Sequence, residues 1–183
     1  MNRSGFFKHT PSFALALVAT LALAGCPADD GDDEVGDETG EPPTIDEAAV
    51  VASALDYADG LTLINAAPFA SAHEAGIDVN VFVDPVNVAA YAALDPNDPG
   101  PADFPEGTLV VKEHLVEGSA TEITIMYKGP AGFDPEHRDW WWGVATLDGT
   151  VQASGAGVAT CIGCHESVAE SDYLYGVDPG NQN

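Results

Sequence analysis

The stretch that decides the fold is "TLVVKEHLVEGSATEITIMYK", residues 108–128. Two runs, 108–117 and 121–128, alternate between apolar and polar side chains and are rich in Val, Ile and Thr, and a short Gly-Ser-Ala segment separates them. This arrangement predicts a β-hairpin. Because successive side chains of a strand point to opposite faces, Lys112 and His114 are expected to share one face of the first strand.

Strand-like patterns continue on both sides of this hairpin. Upstream, "IDVNVFV" at residues 77–83 alternates with a period of two, and downstream "WWWGVATLDGTVQASG" at 140–155 predicts a second hairpin that turns over its Asp-Gly pair. In the second hairpin, Trp140 and Trp142 should face one side of the sheet and Trp141 the other. The strands therefore predict a small antiparallel sheet.

Helical signals are few and short. Residues 44–58 predict an amphipathic helix whose first turn is closed by a capping box of Thr44 and Glu47. A second, short helix is expected over 84–94, with an aspartate cap and a proline in its first turn. Residues 95–107 hold four prolines and two glycines and predict a loop. The predicted fold class is therefore α+β: a small antiparallel β-sheet packed with a few helices.

The N-terminus has the pattern of an export signal. Arg3 and Lys8 form a basic start, an apolar run follows over 12–24, and "LAGC" ends at Cys26. This order predicts a bacterial lipoprotein signal peptide over residues 1–25. The apolar run is too short to span a bilayer, so we expect membrane attachment only through a lipid on Cys26.

The segment after the signal peptide has a different composition. Residues 26–43 combine the lipidated cysteine with an acidic tract that is rich in Gly and Pro and nearly free of large apolar side chains, which predicts a disordered tether. Residues 44–183 then form the folded domain. Residue 27 is proline rather than the aspartate that retains lipoproteins at the inner membrane, so we expect a lipid anchor on the periplasmic side of the outer membrane.

The charge of the chain is strongly negative. The 183 residues include 30 acidic and five basic side chains, for a formal net charge of −25. After Cys26 only Lys112, Lys128 and Arg138 are Lys or Arg. Such a surface repels nucleic acid and anionic lipid headgroups and favours a basic protein partner or none.

The motif that carries chemistry is "TCIGCHES", residues 160–167. A C-x-x-C-H motif in an exported protein is typical of a c-type haem attachment site. On one helical turn Cys161 and Cys164 face the same way, so both thiols can add to the two vinyl groups of one haem, and His165 can bind the iron. The alternatives are a redox dithiol, which has no need of the histidine, and a zinc site, for which further ligands at set spacing are missing nearby.

The late position of this motif restricts the class of cytochrome. Only 18 residues follow His165 and none of them is methionine, which argues against a small electron carrier with a downstream Met ligand. Residues 77–153 alternate with a period of two, which argues against a helical-bundle cytochrome. We therefore expect one haem c per chain, attached near the C-terminus and resting on a sheet.

Several motifs together resemble one family. "VNVFVDP", "AAYAAL", "FPEGTLVVKEHL", "GFDPEHRDWWWG" and "CIGCHESVAESDYLY" occur in order over roughly residues 68–176 and resemble the cytochrome P-460 family, whose relatives include the cytochromes c′-beta. The resemblance implies a homodimer with a small antiparallel sheet and one haem c per chain. Members that oxidise hydroxylamine carry a covalent bond from a lysine to the haem ring, and that lysine corresponds to Lys112. Burial would lower the pKa of Lys112 and favour the neutral amine that such a bond requires.

The side of the iron opposite His165 is where the chain departs from the family. Hydroxylamine-oxidising members present a carboxylate from the next strand, and the matching residue here is Thr124; Glu122, on the same strand face, would replace it if the register is shifted. Met126 shares that face, either as a sixth iron ligand or as core packing. Further candidates for a sixth ligand are His73, His114 and His137.

The resemblance leaves three functions open. The first is oxidation of hydroxylamine or a related small nitrogen compound, with Lys112 tuning the haem and Glu122 or Thr124 handling protons. The second is nitric oxide binding without turnover, and the third is electron transfer with Met126 as the sixth ligand. All three imply a redox partner protein or a small nitrogen ligand. Lys128 and Arg138 are expected to pair with haem propionates.

Overall fold

The sheet predicted from the hairpins is present in the computed structural model, which describes residues 41–183. Its seven strands are β1 (Thr62–Leu63), β2 (Phe69–Ala70), β3 (Asp78–Val83), β4 (Leu109–Val116), β5 (Ser119–Lys128), β6 (Trp140–Thr146) and β7 (Val151–Gly155). The order across the sheet is β1-β3-β4-β5-β6-β7, β2 also pairs with β3, and every pairing is antiparallel.

Helices cover both faces of this sheet. The described part of the chain contains α1 (Glu47–Leu55), α2 (Tyr57–Gly60), α3 (Val88–Ala92) and α4 (Ala159–His165), with 3-10 turns at Pro135–His137, Glu166–Ser171 and Pro179–Asn181. These elements confirm the α+β class. Between residues 41 and 183 no helix is both long and apolar enough to cross a bilayer. The predicted signal peptide, Cys26 and the tether up to residue 40 lie outside the described residues.

The first predicted helix begins at a different residue. The cap is Asp46, whose side chain accepts a hydrogen bond from the Ala49 amide at 3.1 Å, so the predicted capping box of Thr44 and Glu47 is wrong. A carboxylate at this position satisfies a free helix amide as well as a threonine hydroxyl does. The predicted continuous helix is also divided at Asp56, which caps α1 and precedes α2.

Two other boundaries differ from the prediction. The second helix begins at Val88 rather than at residue 84, because the Asp84 carboxylate accepts from the amides of Val86 and Asn87 and holds a turn there. The central hairpin turns at Glu117 and Gly118, with φ of 51° and 77°. Left-handed conformations at both positions are typical of a two-residue hairpin turn, so β5 begins two residues earlier than predicted.

The sheet has a buried cluster on each face. Strand side chains of one face pack with α3 and the C-terminal segment, and this cluster includes Val81, Val110, Met126, Trp142 and Leu174. The other face packs against α1 and α2, in a cluster that includes Val51, Tyr57, Val111, Ile125 and Trp141. Trp140 and Trp142 therefore face one side and Trp141 the other, as the alternation predicted.

The C-terminal segment packs so closely against the end of α3 that one glycine cannot be enlarged. A Cβ on Gly176 would collide with the backbone carbonyl of Leu94. We expect Gly176→Ala to lower the free energy of unfolding by about 1–3 kcal/mol, because overpacking forces backbone shifts. Chemical denaturation checks this, with Gly100→Ala as the control, since Gly100 faces open space. Equal stability of the two variants would contradict the packing.

Candidate functional site

The C-x-x-C-H motif lies on α4, where the sequence placed it on one helical turn. His165 is buried, Cys161 is half-buried and Cys164 is exposed, and both cysteines are free thiols. Burial raises the pKa of Cys161, so the thiol is the form favoured there. No disulfide joins the two cysteines in this structure. The geometry leaves both sulfur atoms available for a shared ligand.

His165 is held by one strong hydrogen bond. Its Nδ1 lies 2.6 Å from the backbone carbonyl oxygen of Tyr173, and because a carbonyl can only accept, Nδ1 carries the hydrogen. Burial lowers the pKa of His165 to about 4, and the nearby Lys112 charge acts in the same direction. The imidazole is therefore neutral at neutral pH, with Nε2 as a free electron-pair donor. A metal-binding histidine has this form, with its other nitrogen bonded to a carbonyl.

Two aromatic rings fix the plane of this imidazole. Trp142 on β6 and Tyr175 in the C-terminal segment each meet the His165 ring edge to face, with ring centroids 5.1 Å apart in both cases. The buried indole N–H of Trp142 has no hydrogen-bond partner within the described residues. The site thus holds His165 in one orientation and leaves an unsatisfied donor beside it.

A cavity of about 310 Å³ opens between α4 and the sheet. Its walls are mostly apolar, and they include Val79, Val81, Tyr91, Val110, Leu174 and Val177. The polar and sulfur-bearing side chains that line it include Cys161, Cys164, His165, Lys112, Thr124, Met126 and His73. A mostly apolar cavity with a few convergent polar groups is typical of a cofactor site. The structure therefore brings the predicted haem-binding residues, Lys112 and Thr124 to one place.

Lys112 lines the wall of this cavity from β4. Burial lowers the pKa of Lys112 to about 8, while the neighbouring Cys161 and Cys164 act in the opposite direction. Its neighbour Glu113 points to the other face, where it accepts hydrogen bonds from Tyr57 and Asn80. Lys112 thus has no carboxylate from its own strand to hold it in the charged form, and its amine faces the cavity.

Glu122 does not reach the cavity. The strand register pairs Lys112 with Thr124 and His114 with Glu122. Glu122 instead lies 3.5 Å from the Nδ1 of His114 and accepts a hydrogen bond from Gln152 at 3.0 Å. The two strands change register by one residue between His114 and Leu115, and beyond this irregularity Thr124, not Glu122, lies opposite Lys112.

The other candidate ligands are spread over three positions. Met126 and His73 line the cavity, and the His73 ring centroid lies 6.1 Å from that of His165. His114 is buried next to His73, at 5.7 Å between ring centroids, and burial lowers its pKa. His137 is elsewhere, 2.8 Å from the Asp134 carboxylate.

Lys128 has a different role from the one predicted. Its ammonium lies 2.7 Å from both carboxylate oxygens of Asp172, and both side chains are buried. The Lys128 ammonium is therefore paired with Asp172 and is not available to a haem propionate. Arg138 is exposed and donates a hydrogen bond to the Ala102 carbonyl at 3.2 Å. Sequence reasoning missed Asp172, and the scarcity of cations was the signal that Lys128 needed an internal partner.

The described residues contain no group of three or more His, Cys, Asp or Glu side chains that could hold a bare metal ion. His165, with its free Nε2, and two nearby thiols fit a metal that a macrocycle carries. Residues 67–176 match the family model described as Cytochrome P460, which confirms the resemblance seen in the sequence motifs. No curated protein matches the chain.

Proposed function

The chain belongs to the cytochrome P460 family, which implies a haem cofactor, and on this premise we propose that it is a c-type haem protein that oxidises hydroxylamine or a related small nitrogen compound. The observation that carries the proposal is the cavity that Lys112, Cys161, Cys164 and His165 share. The residues fit haem, since His165 offers a free Nε2 and both sulfur atoms lie at the same opening.

Each residue has a distinct task in this proposal. Each thiol of Cys161 and Cys164 adds across one vinyl group to form a thioether, and His165 provides the nitrogen that binds the metal. The apolar walls exclude water from the reacting ligand, which strengthens electrostatic interactions inside the cavity. Bound haem would supply an iron that changes oxidation state and binds a small nitrogen compound. One haem per chain follows from the single motif.

Lys112 is the reason to favour oxidation over other functions. An amine whose pKa is lowered to about 8 has an appreciable neutral fraction at neutral pH. The neutral amine is the nucleophilic form, and it lies in the wall of the same cavity as the two thiols. This supports the covalent bond from Lys112 to the haem ring that the family resemblance implies.

Nitric oxide binding without turnover is the second candidate, and the residues that line the cavity favour it. Among residues 41–183 no carboxylate lines the cavity, and Thr124 occupies the position opposite Lys112. A threonine hydroxyl is a much weaker proton acceptor than a carboxylate, so removal of substrate protons would need another base. Electron transfer with Met126 as the sixth ligand is the third candidate, because Met126 also lines the cavity.

Turnover assays on the haem-loaded protein separate these candidates. We expect it to reduce an added electron acceptor when hydroxylamine is present, and Glu122→Gln to leave the rate within about twofold because Glu122 lies outside the cavity. Binding of nitric oxide without acceptor reduction would instead support the second candidate. A low-spin spectrum that nitric oxide does not change, and that Met126→Leu converts to high spin, would support electron transfer.

The cellular setting is a further part of the proposal. A lipid on Cys26 would hold the protein on the periplasmic side of the outer membrane, and the acidic tether would separate the domain from the lipid surface. Of the three cations after Cys26, Lys128 is buried and Lys112 lines the cavity, so Arg138 is the exposed one. This acidic surface supports a redox partner protein with a basic surface, and the family resemblance supports a homodimer.

A further inference from the structure

A buried ion pair joins the sheet to the segment that follows the haem motif. Lys128, at the end of β5, contacts both carboxylate oxygens of Asp172 at 2.7 Å. Asp172 is fully buried and also accepts from the Trp140 indole at 3.1 Å and from the Phe104 amide at 2.7 Å. A carboxylate with this many partners has one position, so it anchors the backbone to which it belongs.

That backbone has a conformation that needs an anchor. Asp172 and the next residue, Tyr173, have φ of 57° and 62°, in the left-handed region that non-glycine residues rarely adopt. Two neighbouring residues of this kind persist only where the surroundings hold them. Ser171 adds to the restraint, because its hydroxyl lies at hydrogen-bond distance from the carbonyls of Val168 and Leu174.

The turn made by these residues aims one carbonyl at the predicted iron ligand. The Tyr173 carbonyl accepts the Nδ1–H of His165 at 2.6 Å. Asp172 is directly linked to Tyr173 in the chain, so a change in the position of Asp172 moves this carbonyl. A continuous path therefore runs from Lys128 on the sheet through Asp172 and the Tyr173 carbonyl to His165.

We propose that Lys128 and Asp172 are positioning residues for His165: their ion pair holds the Tyr173 carbonyl against Nδ1–H and so sets the strength of the bond between Nε2 and iron. A carbonyl held close to Nδ1–H makes the imidazole a stronger donor and fixes its ring plane. Loss of the pair releases the turn, lengthens this hydrogen bond and weakens the donor. The inference rests on the proposed function, because it needs haem bound through His165.

Resonance Raman spectra of the ferrous haem-loaded protein test this through the iron–histidine stretching band. We expect Asp172→Asn to move the band to lower frequency and the reduction potential to a more positive value, since a weaker donor stabilises ferric iron less. Lys128→Gln should move the band and the potential in the same directions. Lys128→Arg, which keeps a cation beside Asp172, should keep the wild-type values. Asp172→Asn and Lys128→Gln spectra that equal the wild-type spectrum would overturn the proposal; if either variant does not fold, the other decides.

A matched control separates positioning from general loss of stability. Glu113 is another buried carboxylate, on β4, but it contacts Tyr57 and Asn80 on the opposite face of the sheet and has no link to His165. Glu113→Gln should lower the stability without moving the iron–histidine band. If the band moves equally in Glu113→Gln and Asp172→Asn, any loss of stability in the domain is enough to move it. That result would overturn the positioning role of Asp172.

The failure of the proposed function gives a different result. If the ferrous wild-type haem is five-coordinate and high-spin and still lacks an iron–histidine band, His165 is not the iron ligand and the proposed function fails. The positioning can still be tested in the haem-free chain, where nitrogen NMR reports which ring nitrogen of His165 carries the hydrogen. A shift from Nδ1–H toward Nε2–H in Asp172→Asn would support the positioning, and an unchanged tautomer would overturn it.

Discussion

Protein in which Cys161 and Cys164 are both replaced by serine should be recovered without covalently bound haem. The thiol is the group that adds to a vinyl carbon, and a serine hydroxyl has no comparable nucleophilicity at neutral pH. The change is small in volume, and Cys161 is only half-buried while Cys164 is exposed, so the domain itself should fold. Expression with the cytochrome maturation machinery, followed by intact mass measurement after denaturation, checks this: the wild type should carry the mass of one haem and the double variant should lack it.

Single variants and an unrelated cysteine give the controls. Cys161→Ser and Cys164→Ser each leave one thioether, so each should retain haem with one vinyl group intact, at lower yield. Cys26→Ser removes the predicted lipid and leaves the motif complete, so haem attachment should be unaffected. A colourless wild-type product, or a double variant that still carries haem after denaturation, would contradict the haem assignment and return the motif to the dithiol or zinc alternatives.

The positions of Lys112 and of the C-x-x-C-H motif could be predicted because they depend on short sequence patterns. Alternation with a period of two places Lys112 on one face of its strand, and the structure has it there, in the cavity. The spacing of Cys161, Cys164 and His165 likewise predicts one helical turn. These features extend over a few residues, and neighbouring residues determine them.

The features that could not be predicted depend on contacts distant in the chain. The strands β1 and β2 have two residues each, too few for a periodic signal, and they exist because β3 offers an edge to pair with. The exclusion of Glu122 from the cavity follows from the strand register, which depends on the turn at Glu117 and Gly118 and on the register shift between His114 and Leu115. Asp172 pairs with Lys128 across 44 positions, and no local pattern connects two such residues.

Replacement of Lys112 by alanine is the other change with a large expected effect. If Lys112 is bonded to the haem ring, the ferrous Soret band of the wild type should be strongly red-shifted, and Lys112→Ala should restore an ordinary haem c spectrum. Formation of the bond removes one hydrogen from the amine and one from a ring carbon, a two-electron oxidation that requires an oxidant such as a peroxide. Proteolysis should therefore release a single cross-linked peptide that contains Lys112, Cys161 and Cys164 from the wild type alone.

Lys112→Arg distinguishes the covalent bond from the positive charge. Arginine keeps a cation in the cavity wall, but its guanidinium stays protonated and does not form the bond. If the bond is the functional element, both variants should show the ordinary spectrum, and both should lose hydroxylamine turnover by at least about tenfold, which corresponds to about 1.4 kcal/mol of activation free energy. If arginine alone preserves turnover, the charge at this position is what the reaction requires. If wild type and Lys112→Ala have the same spectrum, Lys112 is not bonded to the haem and only lines the cavity. If nitric oxide also binds both proteins, nitric oxide binding becomes the favoured function.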